Sequence, residues 1–311
     1  MTFRMILILV VLYCTGLDAA RPALNQELST FFNELWRLDT NRMSPGVDYT
    51  LSVQGRAGFV NPGSQVVTDH AALPLFTSVN ETKLRSITTV SRLITLLDNY
   101  ERSTGVAEQV TTEELLEISQ FLDAVMQTPV MKRAHQYLVS KRLSNSDVRQ
   151  FKDQLKLIWF QLYRRQRNSR LDSCGFEHVF VGETRSGNEL IGFHNWIQFY
   201  LQEKNRHLDY KGFQAGYHDL PDQDDHVLKL QFTWHGVVKP VASAFIGTSP
   251  EFDMALYTVI FLLNTERSTN VLVNIDQCQV ELVVVRHGRS LETAYPKLLS
   301  SNNRHVRQRS Y

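Results

Sequence analysis

The chain has 311 residues, of which 43% are hydrophobic and 21% charged, and its 33 basic residues nearly balance its 32 acidic residues. This composition excludes the disordered, collagen-like and low-complexity classes of protein. The net charge of +1 also excludes a protein held to nucleic acid by bulk positive charge, although a local basic groove remains compatible with it.

The first twenty residues have the pattern of a secretory signal peptide. Arg4 precedes the apolar run Met5–Tyr13, and small residues lead up to Ala20. The run is shorter than the ~20 apolar residues that a membrane-spanning helix needs. We therefore expect residues 1–20 to be removed, and the mature protein to be secreted without a membrane anchor.

Export bears on two further features of the mature chain. Cys174 and Cys278 could pair in an oxidising compartment or remain two buried thiols, because sequence alone does not place their Cα atoms. Both alternatives stay open at this point. The sequon Asn80-Glu81-Thr82 predicts N-glycosylation of Asn80.

The first half of the chain shows apolar residues at helical spacing. Four helices are predicted, over residues 28–36, 87–100, 111–126 and 147–162. Thr111 and Glu114 have the spacing of a capping box, and Ser144–Asp147 predicts the start of the fourth helix. We expect a helical N-terminal lobe over residues 21–170.

After about Arg170 the predicted elements change. Strands are predicted over residues 177–182, 228–234 and 279–286, a short helix opens at 192–196, and Ser249-Pro250 starts a helix that ends near Leu263. Helices followed by strands indicate an α+β fold rather than repeated βαβ units. We expect a catalytic lobe of antiparallel sheets and short helices over 171–300, and a basic tail over 301–311.

Several standard catalytic signatures are absent from the sequence: the Gly-x-Ser-x-Gly elbow, the phosphate-binding loop and the His-Glu-x-x-His zinc helix. Arg286-His287-Gly288 resembles the signature of histidine phosphatases. That signature opens an α/β sheet, but only 23 residues follow Gly288. We interpret the segment as a strand that runs into a turn.

Two segments carry a specific resemblance. Gly175–Glu183 and Gly192–Ile197 resemble the two histidine motifs of the EndoU/XendoU family of poly(U)-specific endoribonucleases. Further blocks resemble the same family, in order along the chain: Asn33–Trp36, Leu97–Glu101, Phe121–Met126, Val238–Pro240 and Phe245–Phe252. Because these motifs are long and cover nearly all of the mature chain, it is identified as a member of the family.

The resemblance implies roles for seven residues. His178 and His194 match the catalytic histidines, and Lys239 matches the catalytic lysine. The other four match residues that the family links to activity or to substrate binding, namely Glu177, Glu183, Ser243 and Tyr295. By resemblance, Ser243 selects uracil, Tyr295 stacks on the substrate, and the two glutamates are linked to activity and metal dependence.

Metal dependence is implied only by the resemblance, which points to Mn²⁺ or another divalent ion. An acidic loop flanked by histidines could attract a hard cation or be a solvated turn; it contains His218, Asp219, Asp222, Asp224, Asp225 and His226. Basic residues could contact RNA or form a solvated helix face; they are Lys132, Arg133, Lys141, Arg142 and the Arg164–Arg167 cluster.

The chemistry of RNA cleavage fits the matched residue types. Attack by the RNA 2′-OH needs a base, an acid for the leaving 5′-oxygen and a cation for the phosphorane. Imidazole, with a pKa of about 6.5, serves either proton role, and lysine supplies the charge. By resemblance His194 is the base and His178 the acid, although each residue taken singly could be structural.

The sequence therefore predicts a secreted, monomeric endoribonuclease that prefers uridylate in single-stranded RNA. It would leave 2′,3′-cyclic phosphate and 5′-OH ends. The alternative is a secreted RNA-binding protein on the same fold with weak or no catalysis.

Overall fold

The computed structural model describes residues 22–61, 63–165, 169–215 and 220–301. The predicted signal peptide and the tail beyond residue 301 lie outside the described residues, so predictions about them are not addressed by the fold. Among the helices in these ranges, none combines the length and apolar character that a bilayer crossing requires.

The first half of the structure is mainly helical, as predicted. Its elements are α1 (Gln26–Leu38), β1 (Tyr49–Leu51), β2 (Phe76–Val79), α2 (Glu81–Ser86), α3 (Thr88–Leu96), α4 (Thr112–Gln127), α5 (Pro129–Ser140) and α6 (Val148–Phe160). The predicted capping box is confirmed: the Glu114 N–H donates to the Thr111 hydroxyl at 3.2 Å, and the Thr111 N–H donates to the Glu114 carboxylate at 2.7 Å. Asp147 caps α6 as expected.

Two helices in this half were not predicted. α2 has six residues, which is too short to display two turns of apolar periodicity. α5 carried a readable signal, because Thr128 accepts the Met131 N–H as N-cap and Pro129 occupies the first helical position. The predicted helix over 87–100 ends earlier, at Leu96.

The second half contains the larger sheets. Its elements are a single π turn (Glu177–Val181), β3 (Glu183–Arg185), β4 (Glu189–Ile191), α7 (Trp196–Lys204), β5 (Leu208–Phe213), β6 (Val227–Trp234), β7 (Val237–Phe245), α8 (Pro250–Leu263), β8 (Ser268–Ile275), β9 (Cys278–His287) and β10 (Ser290–Ser301). The strand orders β5-β6-β7 and β10-β9-β8 are antiparallel throughout, and β3-β4 is a hairpin. The predicted α+β class is confirmed.

The strand predicted over residues 177–182 is wrong. The segment forms one π turn, in which the Gly182 N–H donates to the Glu177 carbonyl at 2.9 Å. β-branched and aromatic residues favoured a strand, but all five side chains of the turn are buried, so no alternation of exposed and buried faces exists there. Single π turns of this kind are frequent at functional sites.

α8 connects the two halves of the molecule. It is buried over nearly its whole length, and it contacts α1, α3 and α5 as well as β8 and β9. A helix that is apolar all round is stable only when covered on all sides. One cluster of buried apolar side chains accordingly extends from Leu28 to Ala294. The lobe boundary near residue 170 stays a prediction.

The disulfide alternative is not adopted in the structure, in which Cys174 and Cys278 are both buried and not bonded to each other. A Cβ on Gly175 would lie 2.7 Å from the Leu291 carbonyl oxygen, which places Cys174 near the start of β10. Leu291 pairs with Arg286 of β9, and Arg286 is eight residues from Cys278 along that strand. At ~3.3 Å per residue, the two ends of this stretch are roughly 26 Å apart. Bridged Cα atoms must come within ~7 Å.

We therefore expect two reduced thiols in the mature chain. Iodoacetamide should modify both Cys174 and Cys278 after denaturation without reductant, and neither should react quickly in the native protein because both are buried. Intact-mass measurement counts the added groups. A denatured, unreduced chain that takes up none would contradict the structure.

Candidate active site

The two histidine motifs are held together by backbone hydrogen bonds. The Phe193 N–H donates to the His178 carbonyl at 2.9 Å, and the His194 N–H donates to the Val179 carbonyl at 2.8 Å. Gly192, at φ +64°, makes this approach possible, since a Cβ there would lie 2.0 Å from the His178 carbonyl oxygen. The two imidazole centroids are 6.2 Å apart.

His178 belongs to a buried chain of charges. Its Nδ1 lies 2.5 Å from Glu183 Oε2, and Arg165 Nη2 lies 3.0 Å from the same oxygen. Arg165 also donates to the Tyr163 and Ser173 hydroxyls. Burial raises the pKa of Glu183, whereas the Arg165 guanidinium lowers it and so favours the ionised carboxylate. With Nδ1 engaged, Nε2 is the ring nitrogen left for a substrate.

His194 is oriented by a backbone carbonyl. Its Nδ1 lies 2.9 Å from the Ser243 carbonyl oxygen, which can only accept, so Nδ1 carries the hydrogen and Nε2 has a free lone pair. The Tyr295 ring stacks on the imidazole, with centroids 4.9 Å apart and planes at 19°. Asn195 caps α7 directly after His194 and fixes the backbone there.

Lys239 lies on β7 beside an irregularity in the sheet. One extra residue is inserted in β7 between Lys239 and Ala242, where Pro240 has no N–H to offer the ladder. Lys239 Nζ donates to the Leu190 carbonyl of β4 at 3.1 Å. Burial lowers the pKa of Lys239 to about 8, although Glu189 and Glu183 oppose that shift.

The pKa values of both histidines lie well below the ordinary value of about 6.5. Burial is the main cause in each case. Arg165 and then Lys239 lower the pKa of His178 further, and Lys239 does the same for His194. Both imidazoles are therefore neutral in the free protein near pH 7, and the bound anion of an RNA phosphate would raise their pKa values.

Glu177 and Glu183, which the resemblance groups with the substrate-binding residues, both have fully buried side chains. Glu183 instead supports His178 from inside. Neither carboxylate oxygen of Glu177 has a hydrogen-bond partner within the described part of the chain, and burial together with Glu183 raises its pKa. Burial thus favours the protonated form of Glu177, and no contact in the described residues explains what it does.

Ser243 and Tyr295, which the resemblance implies in substrate binding, both lie beside His194. Arg165 was predicted only as part of a basic cluster that could contact RNA. It is instead buried against Glu183, a role that no sequence pattern revealed. Two other candidates for RNA contact are engaged in ion pairs, Arg133 with Glu34 and Lys141 with Glu27.

The described residues do not fit the divalent ion that the resemblance implies. No three His, Cys, Asp or Glu side chains among them are grouped closely enough to bind a metal. In the acidic loop, His218 and Asp219 lie outside the described residues. Asp222 and Asp225 bond to neighbouring backbone N–H groups, and His226 packs against Trp36. No step of the chemistry below is routed through a metal.

The phosphatase-like segment is a strand that runs into a turn, as interpreted. β9 ends at His287, and the ring of His287 stacks on Tyr163 at 4.3 Å. Asn80, the predicted glycosylation site, is exposed and its side-chain oxygen accepts the Lys83 N–H at the start of α2. Its glycosylation stays a prediction.

Comparisons with known proteins identify the family to which the chain belongs. The profile of the family described as "Endoribonuclease XendoU" matches residues 27–296. The chain is 61% identical over 289 residues to Uridylate-specific endoribonuclease C of Danio rerio, covering 93% of this chain and 94% of that protein. It is 55% identical over 284 residues to Poly(U)-specific endoribonuclease-A of Xenopus laevis, and the match covers 91% of this chain and 97% of that protein.

A solved structure shows the same fold. "The structure of XendoU: a splicing independent snoRNA processing endoribonuclease" superposes with a TM-score of 0.80 and 54% identity, covering 91% of this chain and all of that one. Family profile, relatives and structure all match across both histidine motifs. The chain therefore belongs to the XendoU family and is an endoribonuclease, as its two histidine motifs predicted.

Proposed function

We propose that the protein is a uridylate-preferring endoribonuclease that cleaves single-stranded RNA through attack by the RNA 2′-oxygen on the adjacent phosphorus. One observation carries the proposal: the ring centroids of His178 and His194 lie 6.2 Å apart, and Nδ1 of each ring is bound to an acceptor. Each ring thus offers Nε2, and the buried charge of Lys239 acts on both.

His194 is the base in this mechanism. It is neutral near pH 7, and the Ser243 carbonyl holds the hydrogen on Nδ1. Nε2 then takes the 2′-OH proton while the 2′-oxygen bonds to phosphorus. A backbone carbonyl fixes the tautomer without adding a full negative charge, which suits a group that must begin unprotonated.

His178 is the acid. Its Nδ1 faces the Glu183 carboxylate, and Arg165 favours the ionised form of that carboxylate. An ionised partner stabilises the imidazolium that forms when an anionic RNA phosphate raises the pKa of His178. Nε2 then donates its proton to the leaving 5′-oxygen, so that one fragment ends in a 2′,3′-cyclic phosphate and the other begins with a 5′-OH.

Lys239 stabilises the phosphorane. Its Nζ is buried and bound to one carbonyl, which leaves hydrogens for the non-bridging phosphate oxygens. Its charge is needed in the transition state, where phosphorus carries extra negative charge. The mechanism assigns Glu183 and Arg165 a positioning role, since both act through His178.

The pH dependence of kcat/KM tests the Lys239 assignment. Because the pKa of Lys239 is about 8, its charge is present below that pH and is lost as the pH rises through it. We expect kcat/KM of the wild-type enzyme to fall above about pH 8 because Lys239 loses its charge there. The Lys239→Arg variant should lack that fall, since arginine stays charged. An identical alkaline limb in both proteins would contradict the assignment.

Uridine preference is assigned to Ser243 and substrate stacking to Tyr295, by resemblance and because both residues lie beside His194. Ser243→Ala should lower the ratio of cleavage at U to cleavage at C by about five- to tenfold, the loss of one hydrogen bond to the base edge. The contact with His194 uses the Ser243 backbone, so this variant keeps it. Tyr295→Ala should instead slow cleavage at both bases, because stacking tolerates any base.

Competition assays on RNAs with a single U or a single C measure both effects. If Ser243→Ala slowed both cuts equally, base selection would lie elsewhere.

Secretion after removal of residues 1–20, glycosylation of Asn80 and a monomeric state complete the proposal. Incubating the purified mature protein with a U-containing oligonucleotide, with and without Mn²⁺, tests the activity directly. Cleavage after U without added metal supports the two-histidine mechanism. Tight RNA binding with no cleavage under either condition would favour the alternative of an RNA-binding protein.

A further inference from the structure

An open cavity lies at the turn end of the β9-β10 hairpin, apart from the two histidines. Its volume is about 360 Å³, within the range of small-ligand pockets. Its apolar wall comes from Leu157 and Ile158 of α6 and from Phe261 and Leu262 of α8. Gln154 and Thr265 add polar groups at the rim.

Two arginines face this apolar wall. Arg286 lies with its guanidinium carbon 3.6 Å from the Phe261 ring centroid and donates to the Phe261 carbonyl at 3.1 Å. Arg289 follows in the turn. Neither arginine forms an ion pair with a carboxylate of residues 22–61, 63–165, 169–215 or 220–301, whereas the nearby Arg267 is paired with Glu292.

Arg286 is half-buried and Arg289 is exposed, and neither is paired with a carboxylate of the described residues. Two such cations next to an apolar surface suit a ligand that is both planar and anionic. The Arg286 guanidinium already stacks on one aromatic ring, and its plane can accept a nucleobase in the same way. Arg289 can meet a phosphate. The Gln154 amide nitrogen donates to the Leu143 carbonyl, but the amide oxygen and the Thr265 hydroxyl can bond to a base edge. A nucleotide combines these requirements.

We propose that this cavity binds one nucleotide of the RNA chain, away from the bond that is cut. Six residues of β10 separate Arg289 from Tyr295, or roughly 20 Å at ~3.3 Å per residue. An RNA strand with a rise of ~3.4 Å per stacked nucleotide spans that distance in about six nucleotides. The cavity thus engages long substrates and leaves short ones unaffected.

The test compares two substrate lengths. We expect Arg286→Met with Arg289→Ala to lower kcat/KM about tenfold for a 12-nucleotide RNA extended on either side of the cut, the size of one lost base stack. The kcat/KM for a trinucleotide should stay unchanged. The slope of log KM against log salt for the long RNA should also fall by about 0.7 for each phosphate that the variant no longer neutralises.

Controls keep each outcome decisive. Arg92→Met removes an exposed arginine of α3 and should leave kcat/KM unchanged for both RNA lengths. Thr265→Glu adds a charge that repels phosphate at the exposed rim of the cavity, and it leaves the packing of Arg286 intact. Equal losses for both lengths, or no loss for the long RNA, would overturn the proposal. If uridine monophosphate bound the wild type but not the double variant while length had no effect, the cavity would serve a free nucleotide, and the RNA assignment would be wrong. The test needs only endoribonuclease activity, so it stands or falls separately from the 2′-oxygen mechanism.

Discussion

Replacing His194, His178 or Lys239 by alanine is expected to lower kcat/KM for RNA cleavage by about 10²–10⁴-fold each. In the proposed mechanism, His194→Ala removes the group that takes the 2′-OH proton, and His178→Ala removes the donor to the leaving oxygen. Lys239→Ala would leave the proposed phosphorane without its buried cation. Single-turnover assays with labelled RNA measure the three losses.

The folded state must be checked alongside these variants. His194→Ala leaves the buried Ser243 carbonyl without its partner, at a cost of about 1–3 kcal/mol in stability, so thermal unfolding should show a folded but weakened protein. His287→Ala is the matched control, because that ring stacks on Tyr163 and has no proposed role in catalysis. A His194→Ala enzyme that cleaves at the wild-type rate would refute the site.

A substrate with 2′-deoxyribose at the cleavable uridine should be cut at no measurable rate at that position, while its binding changes little. The 2′-oxygen is the proposed nucleophile, so its removal abolishes the reaction rather than slowing it. In the proposed mechanism His178 Nε2 and Lys239 Nζ still meet the same phosphate, which preserves affinity.

Analysis of product ends gives an independent readout of the same mechanism. The upstream fragment should carry a 2′,3′-cyclic phosphate and the downstream fragment a 5′-OH. Fragments with 5′-phosphate and 3′-OH ends, or cutting of the deoxy-substituted site, would point to an activated water instead.

Local signals in the sequence predicted much of the fold. The Thr111–Glu114 capping box and the Ser249-Pro250 helix start each rest on contacts within four residues, and both are confirmed. Alternation and β-branched residues located β6 and β9. The π turn was missed because its residues are buried on every side, which removes the periodicity that separates helix from strand.

The site was predictable only in part, for a related reason. The histidine motifs are contiguous and could be recognised, whereas the Arg165–Glu183 pair joins residues 18 positions apart whose meeting depends on the tertiary fold. The contact between His194 and the Ser243 carbonyl also depends on the tertiary fold. Every residue has a backbone carbonyl, so the sequence does not indicate which one the imidazole will meet. Glu177 was assigned by resemblance alone, and no pattern in the sequence indicated that its carboxylate would be fully buried.

The position of α8 limits how far this enzyme can be shortened. All seven residues implied by the resemblance lie after residue 170, so a fragment that begins there would contain every proposed reacting group, although it would lack Arg165. That fragment would lack α1, α3 and α5, and one side of an almost wholly apolar helix would face water. Such a piece would aggregate rather than cleave RNA, and a minimal nuclease cut from this chain has to keep the helices of the first half as the cover of its core.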